Sequence, residues 1–260
     1  MRYGVCIGTD CANVKIAAQS GYDYLETNFG GITRLSDEDF EAFEEAVAES
    51  GLKCEAANCF MPNELKPVGP DVNYEGIKEY VEKGMSRGKR IGLETVVFGS
   101  GKSRAIPDGW KYADAFSQLA YFLGEIVSPI AEKYGIRVVT EPLRFNESNI
   151  INTVKEGVAL AAFAGKENIG GLGDLYHMAG CLDTADDIKQ LKGSIFHAHI
   201  SNPDGDGTDK RTFPKSNEEY DYRSFIKALE YAGCERCSIE AGTRDFAADA
   251  PLSIKVLREI

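Results

Sequence analysis

The sequence predicts a single (β/α)8 TIM barrel of the α/β class, and three observations predict it. Short apolar runs alternate with helix-patterned stretches eight times in 260 residues, which argues for parallel strands joined by crossover helices. A chain of this length accommodates one such barrel. The last four runs each lead to a residue able to hold a metal or move a proton: Glu141, Asp174, the pair His197 and His199, and Glu240. Barrel enzymes carry their chemistry at the C-terminal ends of the strands, and residues from four successive strands converge only where the sheet closes. An open doubly wound sheet, the alternative, would leave them strung along an edge. With no linker, low-complexity stretch or break in composition, residues 1–260 read as one domain.

In chain order, Tyr3 to Ile7 is the first expected strand and Asn13 to Ser20 the first helix, stopped by Gly21. Tyr22 to Thr27 is strand two, ending near Glu26. Ser36-Asp-Glu-Asp39 has the spacing of a capping box and opens a helix to Ser50, ended by Gly51. Lys53 to Phe60 is strand three, closed by Met61-Pro62. A helix from about Asn73 to Arg90 precedes strand four, Thr95 to Phe98, and one long helix from Trp110 to Tyr134 ends at Gly135. Strand five, Arg137 to Thr140, is followed by a helix that Asn152-Thr153 opens and that reaches Ala164. Ile169 to Leu175 is strand six, Thr184 to Leu191 the next helix, and Ile195 to Ile200 strand seven. A polar, Gly-rich loop from Ser201 to Glu218 leads to the helix Tyr222 to Tyr231, capped by Gly233. Strand eight is Arg236 to Ile239, and Pro251 to Ile260 is the closing helix.

Composition narrows the function. Lys and Arg number 29 against 41 Asp and Glu, a net charge of −12. Such a field repels phosphate backbones and argues against nucleic acid as a partner. With 43% hydrophobic and 27% charged residues the composition is that of an ordinary soluble protein. The N-terminus runs directly into a strand without the apolar stretch of roughly 7–15 residues that marks a signal peptide. No run approaches the ~18 apolar residues of a membrane helix. A cytoplasmic location with no membrane partner is therefore expected. Seven cysteines, odd in number and mostly inside apolar runs (Cys6, Cys54, Cys59, Cys181), read as reduced, buried thiols. Cys234-Glu-Arg-Cys237 has CxxC spacing but no companion pair, and it precedes its strand, which argues against a redox or zinc role.

Three carboxylates and one imidazole make an oxygen-rich donor set, suited to Mn²⁺, Mg²⁺ or Co²⁺ rather than to a thiolate zinc site. Of His197 and His199, only one is expected to face the lumen, the other pointing to the opposite face as a packed or supporting histidine. Glu147 lies six residues beyond Glu141, and His177 three beyond Asp174. Glu26, Glu55 and Glu94 read as loop caps or salt-bridge partners, the commoner fate of a lone carboxylate near a strand end. Gly99-Ser-Gly-Lys-Ser103 imitates half of a P-loop, but that pattern needs a glycine where Val96 stands, so nucleotide binding is not expected. The acidic pairs between Ser36 and Glu49 read as a solvated helix face.

Taken together, Glu141-Pro-Leu-Arg-Phe-Asn-Glu147 with Asn152-Thr153, Asp174-Leu-Tyr-His177-Met178, His197-Ala-His199 and Ser238-Ile-Glu240 resemble the xylose-isomerase-like sugar isomerases and epimerases, particularly the ketose 3-epimerases of the D-tagatose and D-psicose type. Phe98-Gly-Ser-Gly101 with Arg104 and Pro107 is similar to that family's loop after strand four. The resemblance covers essentially the whole chain. It implies that Glu141, Asp174, His199 and Glu240 bind one divalent metal ion, Mn²⁺ first and Mg²⁺ or Co²⁺ next, and it leaves His197 as the packed histidine. It further implies that Glu141 and Glu240 double as the acid/base pair and that Glu147 and His177 bind sugar hydroxyls near the reacting carbon. The family places an arginine six residues after the ligand histidine, where this chain has Gly205. Arg211, from the same loop, is the candidate to bind substrate in its stead. Trp110, the only tryptophan, is a candidate to cover the sugar, or else a packing residue at a helix start.

The reaction so implied starts from a carbon acid beside a ketone. A divalent ion stabilises the cis-enediolate that forms when the proton leaves, and two carboxylates act in turn, one removing a proton and the other returning one. Return to the opposite face of the same carbon is epimerisation, 3-epimerisation in the leading interpretation. Return to the former carbonyl carbon is aldose–ketose isomerisation, and the same residues serve either. An inosose-type dehydratase acting on a cyclic polyol ketone begins with the same enolisation. An endonuclease-IV-like phosphodiesterase shares the barrel but uses more histidines than the three present, and the acidic charge opposes DNA. A non-catalytic sugar-binding barrel would not need a carboxylate on each face of its ligand. The expected partner is a small-molecule sugar. A homo-oligomer, dimer or tetramer, is compatible with barrels of this kind, but no apolar stripe names its face.

Overall fold

Each of the eight apolar runs forms a strand. They are β1 (Arg2–Gly8), β2 (Tyr24–Asn28), β3 (Cys54–Asn58), β4 (Thr95–Phe98), β5 (Arg137–Thr140), β6 (Ile169–Asp174), β7 (Ile195–Ile200) and β8 (Arg236–Ile239). In this computed structural model, which describes residues 1–204 and 210–260, the strands pair in parallel and in sequence order around a closed barrel. Arg2 to Val5 of β1 run beside Arg236 to Ile239 of β8 and complete the ring. Closure excludes the open doubly wound sheet.

The helices are α1 (Cys11–Ser20), α2 (Phe29–Arg34), α3 (Asp37–Ser50), α4 (Tyr74–Arg90), α5 (Tyr112–Tyr121), α6 (Ser128–Tyr134), α7 (Val154–Ala164), α8 (Leu175–Cys181), α9 (Ala185–Gln190), α10 (Tyr222–Ala232) and α11 (Phe246–Arg258). The expected caps form. Ser36 Oγ accepts from the Asp39 N–H, Asn73 Oδ1 from the Gly76 N–H, and Thr153 with Glu156 makes a reciprocal capping box at α7. Gly135 ends α6 at φ 67°, in the left-handed region where a side chain would be strained.

Three helical features differ from expectation. The long helix after β4 is interrupted by a π-helical turn, Phe122–Val127, between α5 and α6. Pro129 lacks an N–H and its ring crowds the carbonyl four residues back, so the helix widens just ahead of it. Gly124 lies inside this turn against the end of α7, where an added Cβ would sit 2.7 Å from the Ala164 carbonyl oxygen. The closing helix starts at Phe246, capped by Asp245 Oδ1 on the Ala248 N–H, and Pro251 falls inside it. Two short helices, α2 and α8, were not expected, and α8 matters for the site.

Two apolar layers pack the barrel against its helices. One gathers Phe40, Phe43 and Phe225 beneath α3 and α10, the other Phe29, Phe60, Phe98 and Phe122 beneath α4 and the π-helical turn. A smaller cluster of Val97, Val139 and Leu172 belongs to the inward face of β4, β5 and β6. The N-terminal floor of the barrel is ionic. Glu55 is held by Arg2 at 2.6 Å and Arg236 at 3.3 Å, and Arg236 also reaches Glu94 at 2.7 Å. The reading of Glu55 and Glu94 as salt-bridge partners therefore holds. All seven cysteines are free thiols. Cys59 is exposed rather than buried because β3 ends at Asn58, and Cys6 and Cys181 are half-buried. No helix among the described residues is long and apolar enough to cross a membrane.

Candidate metal centre

Four strand ends deliver the four expected donors to one point. Glu141 follows β5 directly, and its N–H donates to the Phe98 carbonyl at 3.2 Å, which ties it to the end of β4. Gly99, next to Phe98, makes room for it: an added Cβ would lie 2.1 Å from Glu141 Oε2. Asp174 is both the last residue of β6 and the N-cap of α8. Its Oδ1 accepts the Tyr176 and His177 N–H groups at 2.7 and 3.1 Å, leaving Oδ2 to face the lumen. Glu240 follows β8, and its Oε1 accepts from the Asn58 side-chain amide at 2.7 Å. One donor atom from each of Glu141, Asp174, His199 and Glu240 lies within 4.8 Å of all the others.

His199 sits at the middle of the group. Its Nδ1 is 3.0 Å from Glu141 Oε1, 3.6 Å from Asp174 Oδ2 and 2.9 Å from Glu240 Oε2. Its other nitrogen, Nε2, is 2.8 Å from Glu26 Oε1. His197 corrects an expectation. Side chains two apart on a strand share a face, so both histidines point inward, and His197 Nε2 lies 2.9 Å from the other Glu26 oxygen. Glu26 comes from β2 and the histidines from β7, so these bonds span the lumen. Glu26 is fully buried and orients the His199 ring. The expectation of a salt-bridge partner therefore holds, with the two histidines as its partners, and its strand-end position was the signal that sequence reasoning discounted.

Charge is unbalanced at this centre. Burial and the neighbouring Glu240 carboxylate push the Glu141 carboxyl up to about 7. Burial acts on Glu240 in the same sense, but Arg211 and His199 outweigh it and hold that carboxyl down at about 2. For Asp174 too, burial is outweighed, by His177, His199 and Arg211, and its pKa falls well below the usual carboxylate range. Burial should depress His199, yet the carboxylates of Glu26 and Glu240 raise it far above a free imidazole. Glu240 Oε2 is buried without a hydrogen bond, although His199 Nδ1 and Arg211 Nη1 stand 2.9 and 2.8 Å away. Both contacts are close but too badly angled to count as hydrogen bonds. Two buried carboxylates and a third, half-buried one around one imidazole, with one oxygen unsatisfied, fit a hard divalent cation. With Nε2 directed at Glu26, Nδ1 is the nitrogen turned to the carboxylates, and loss of its proton would make it the donor to a cation.

The flanking residues divide. His177 is brought to the centre by α8, its Nε2 4.0 Å from Asp174 Oδ2. The Arg144 N–H donates to its Nδ1 at 3.3 Å and burial lowers its pKa to about 4, so the ring is neutral with its proton on Nε2. Glu147 lies beside it, Oε2 3.6 Å from His177 Nδ1. Arg211 does reach the site: Nη1 is 2.9 Å from Asp174 Oδ2 and 2.8 Å from Glu240 Oε2. Its backbone is pinned between the ends of β7 and β8, where Thr212 bridges Asn202 and the Arg211 carbonyl accepts from Gly242. Gly205 lies outside the described residues. Trp110 is half-buried, and among the described residues no hydrogen bond or ring contact joins it to the centre; its N–H donates to the Pro107 carbonyl at 3.1 Å. Asn58, which sequence reasoning passed over, gives no signal beyond its place at the end of β3.

Residues 14–260 match the family described as the xylose isomerase-like TIM barrel, and the chain belongs to that family. Among its relatives is the D-psicose 3-epimerase of Agrobacterium fabrum, 24% identical over 202 residues that cover 73% of this chain and 67% of the relative. The fold is similar to that of the 3-keto-D-glucoside 4-epimerase from E. coli, with a TM-score of 0.81, 15% identity and full coverage of both chains. It is also similar to a D-psicose 3-epimerase with D-tagatose from Clostridium cellulolyticum H10, with a TM-score of 0.79, 17% identity, and 99% and 92% of the two chains covered.

Proposed function

We propose that this protein is a metal-dependent sugar epimerase that inverts C3 of a small ketose or ketose derivative, with Mn²⁺ as its native ion and the cytoplasm as its location. The observation that carries the reading is the pair Glu141 and Glu240. Their carboxylate oxygens stand 3.0 and 2.9 Å from the same His199 nitrogen, so two carboxyl groups are placed to serve one bound carbon, one as base and one as acid. A divalent ion held by Glu141, Asp174, His199 and Glu240 would supply Lewis-acid polarisation of the sugar carbonyl. Glu240, ionised and fixed by Asn58, is the base that takes the C3 proton. Glu141, the second carboxyl group, returns a proton to the opposite face. The His177 Nε2–H donates to a substrate oxygen, and Glu147 accepts from a sugar hydroxyl beside it. Arg211, released from its ligand carboxylates, holds a further oxygen.

Product analysis tests the assignment. Protein stripped of metal and reloaded with Mn²⁺ is incubated with a panel of free and phosphorylated ketoses, and the products are separated by chromatography. The reading expects a C3 epimer from at least one member, absent without metal and reduced about 10²–10⁴-fold by Glu240→Gln. An aldose product in place of the epimer moves the assignment to aldose–ketose isomerisation. No product from any member contradicts it.

A further inference from the structure

Beside the metal centre lies an open cleft of about 620 Å³ whose charge is opposite to that of the molecule. The chain carries −12 overall, yet among the described residues four cationic side chains, Lys210, Arg211, Lys215 and Arg244, line this cleft against two carboxylates, Glu147 and Asp249. Arg211 is engaged by the metal-ligand carboxylates, as described above, and Lys215 is 3.6 Å from Asp249. Lys210 and Arg244 have no carboxylate within ion-pair distance among the described residues. Glu147 and Arg211 belong to both the cleft and the centre, so the two form one continuous space. Two cations with no carboxylate partner among the described residues, beside the metal centre, make a subsite for an anion carried by the substrate itself.

We infer that the cleft of Lys210 and Arg244 binds a phosphate group at the end of the substrate remote from the reacting carbon, so that the preferred substrate is a ketose phosphate. This rests on the epimerase reading for the reacting end alone. A phosphomonoester carries a charge of about −1.5 to −2 at neutral pH and three acceptor oxygens, which matches two unpaired cations better than the single charge of a sugar carboxylate. Arginine provides a two-pronged donor for such a group and lysine a point charge. Neutral ketoses would leave both cations unused, and the surrounding acidic field would do nothing to retain them.

The test uses the full-length Mn²⁺-loaded protein and two readouts. Calorimetric titration compares ketose 5- and 6-phosphates with the corresponding free ketoses, and solvent-deuterium exchange by NMR follows the chemistry. The expected result is at least tenfold tighter binding of one sugar phosphate than of its free sugar. A Lys210→Ala/Arg244→Ala variant, which removes exposed side chains and should melt as the parent does, is expected to bring that ratio below threefold. Equal affinities, or a ratio unchanged in the double variant, overturn the inference even where free ketoses exchange label and uphold the epimerase reading. Tight phosphate-dependent binding with no exchange does the reverse: the cleft stands and the reaction assignment falls. A sugar acid that binds as tightly as the phosphate, with the same loss in the variant, also overturns the assignment to phosphate.

Discussion

Glu26 shows how a single buried side chain sets the chemistry of a centre it does not itself face. By accepting from Nε2 of both His197 and His199, it fixes the ring orientation that turns His199 Nδ1 toward the three carboxylates. Removing such an outer partner commonly costs 10–100-fold in metal affinity. Glu26→Ala is therefore expected to weaken Mn²⁺ binding by about that factor in a calorimetric titration, and unchanged affinity would refute its role. Gly99 makes the complementary point. With an added Cβ 2.1 Å from Glu141 Oε2, Gly99→Ala is expected to displace that carboxylate and lower Mn²⁺ affinity at least tenfold. At this scale the sequence is legible where a motif repeats: Glu141, Asp174, His199 and Glu240 each follow a strand and can be aligned with one another. Glu26 follows a strand too, but its partners lie across the lumen, a relation that sequence spacing does not encode. The opposite-face expectation for His197 failed on the period of the strand itself, since residues two apart share a face.

Among the elements, α8 carries the most consequence for its length. Asp174 divides its two oxygens, one capping α8 and the other facing the centre. The two roles separate by mutation. Asp174→Asn retains an oxygen for the cap and loses the anionic ligand, whereas Asp174→Ala loses both. Both variants are expected to lose Mn²⁺ binding, and the alanine variant to unfold with about 1 kcal/mol less stability than the asparagine variant in chemical denaturation. Equal stabilities would show that the cap is idle. Long elements were legible from their caps, because Ser36, Asn73, Thr153 and Gly135 each mark a boundary where it occurs. The short α2 and α8 were not: each starts directly after its strand with no break in sequence to mark it, whereas the equally short α9 was announced by Thr184. The π-helical turn was encoded by Pro129 within an otherwise continuous helical pattern, and reading through that proline joined two helices into one.

Over the whole molecule, the barrel gathers three carboxylates around His199 at its C-terminal mouth, a centre that could hold a cation. The Glu141 carboxyl, near 4.5 as an ordinary glutamate, is raised to about 7 in the folded chain by burial and by Glu240. A group raised on folding stabilises the fold below about pH 4.5, and that contribution is lost as the pH climbs through about 7. Glu240 has the opposite sign, lowered from 4.5 to about 2, and its contribution is lost as the pH falls below about 4.5 toward 2. Metal-free protein is therefore expected to lose melting temperature between about pH 5 and 7.5, and saturating Mn²⁺ to raise it by an amount that grows across the same interval. A metal-induced shift that is flat or falling with pH would contradict the assignment of Glu141 as a ligand. The fold was legible at this scale because eight strand–helix units and a closing site agree with one another. The loop that brings Arg211 to the centre was legible only as a candidate, since its reach depends on the ledge formed by Asn202, Thr212 and Gly242 and not on its distance along the chain.

The most direct test of proton transfer at this centre is the position of solvent deuterium in the product. Mn²⁺-loaded protein in heavy water, offered free and phosphorylated ketoses and followed by NMR, is predicted to place deuterium at C3 of an epimerised sugar, with the label lost in both Glu141→Gln and Glu240→Gln. Epimer formed without solvent label, or label confined to C1, would contradict the account.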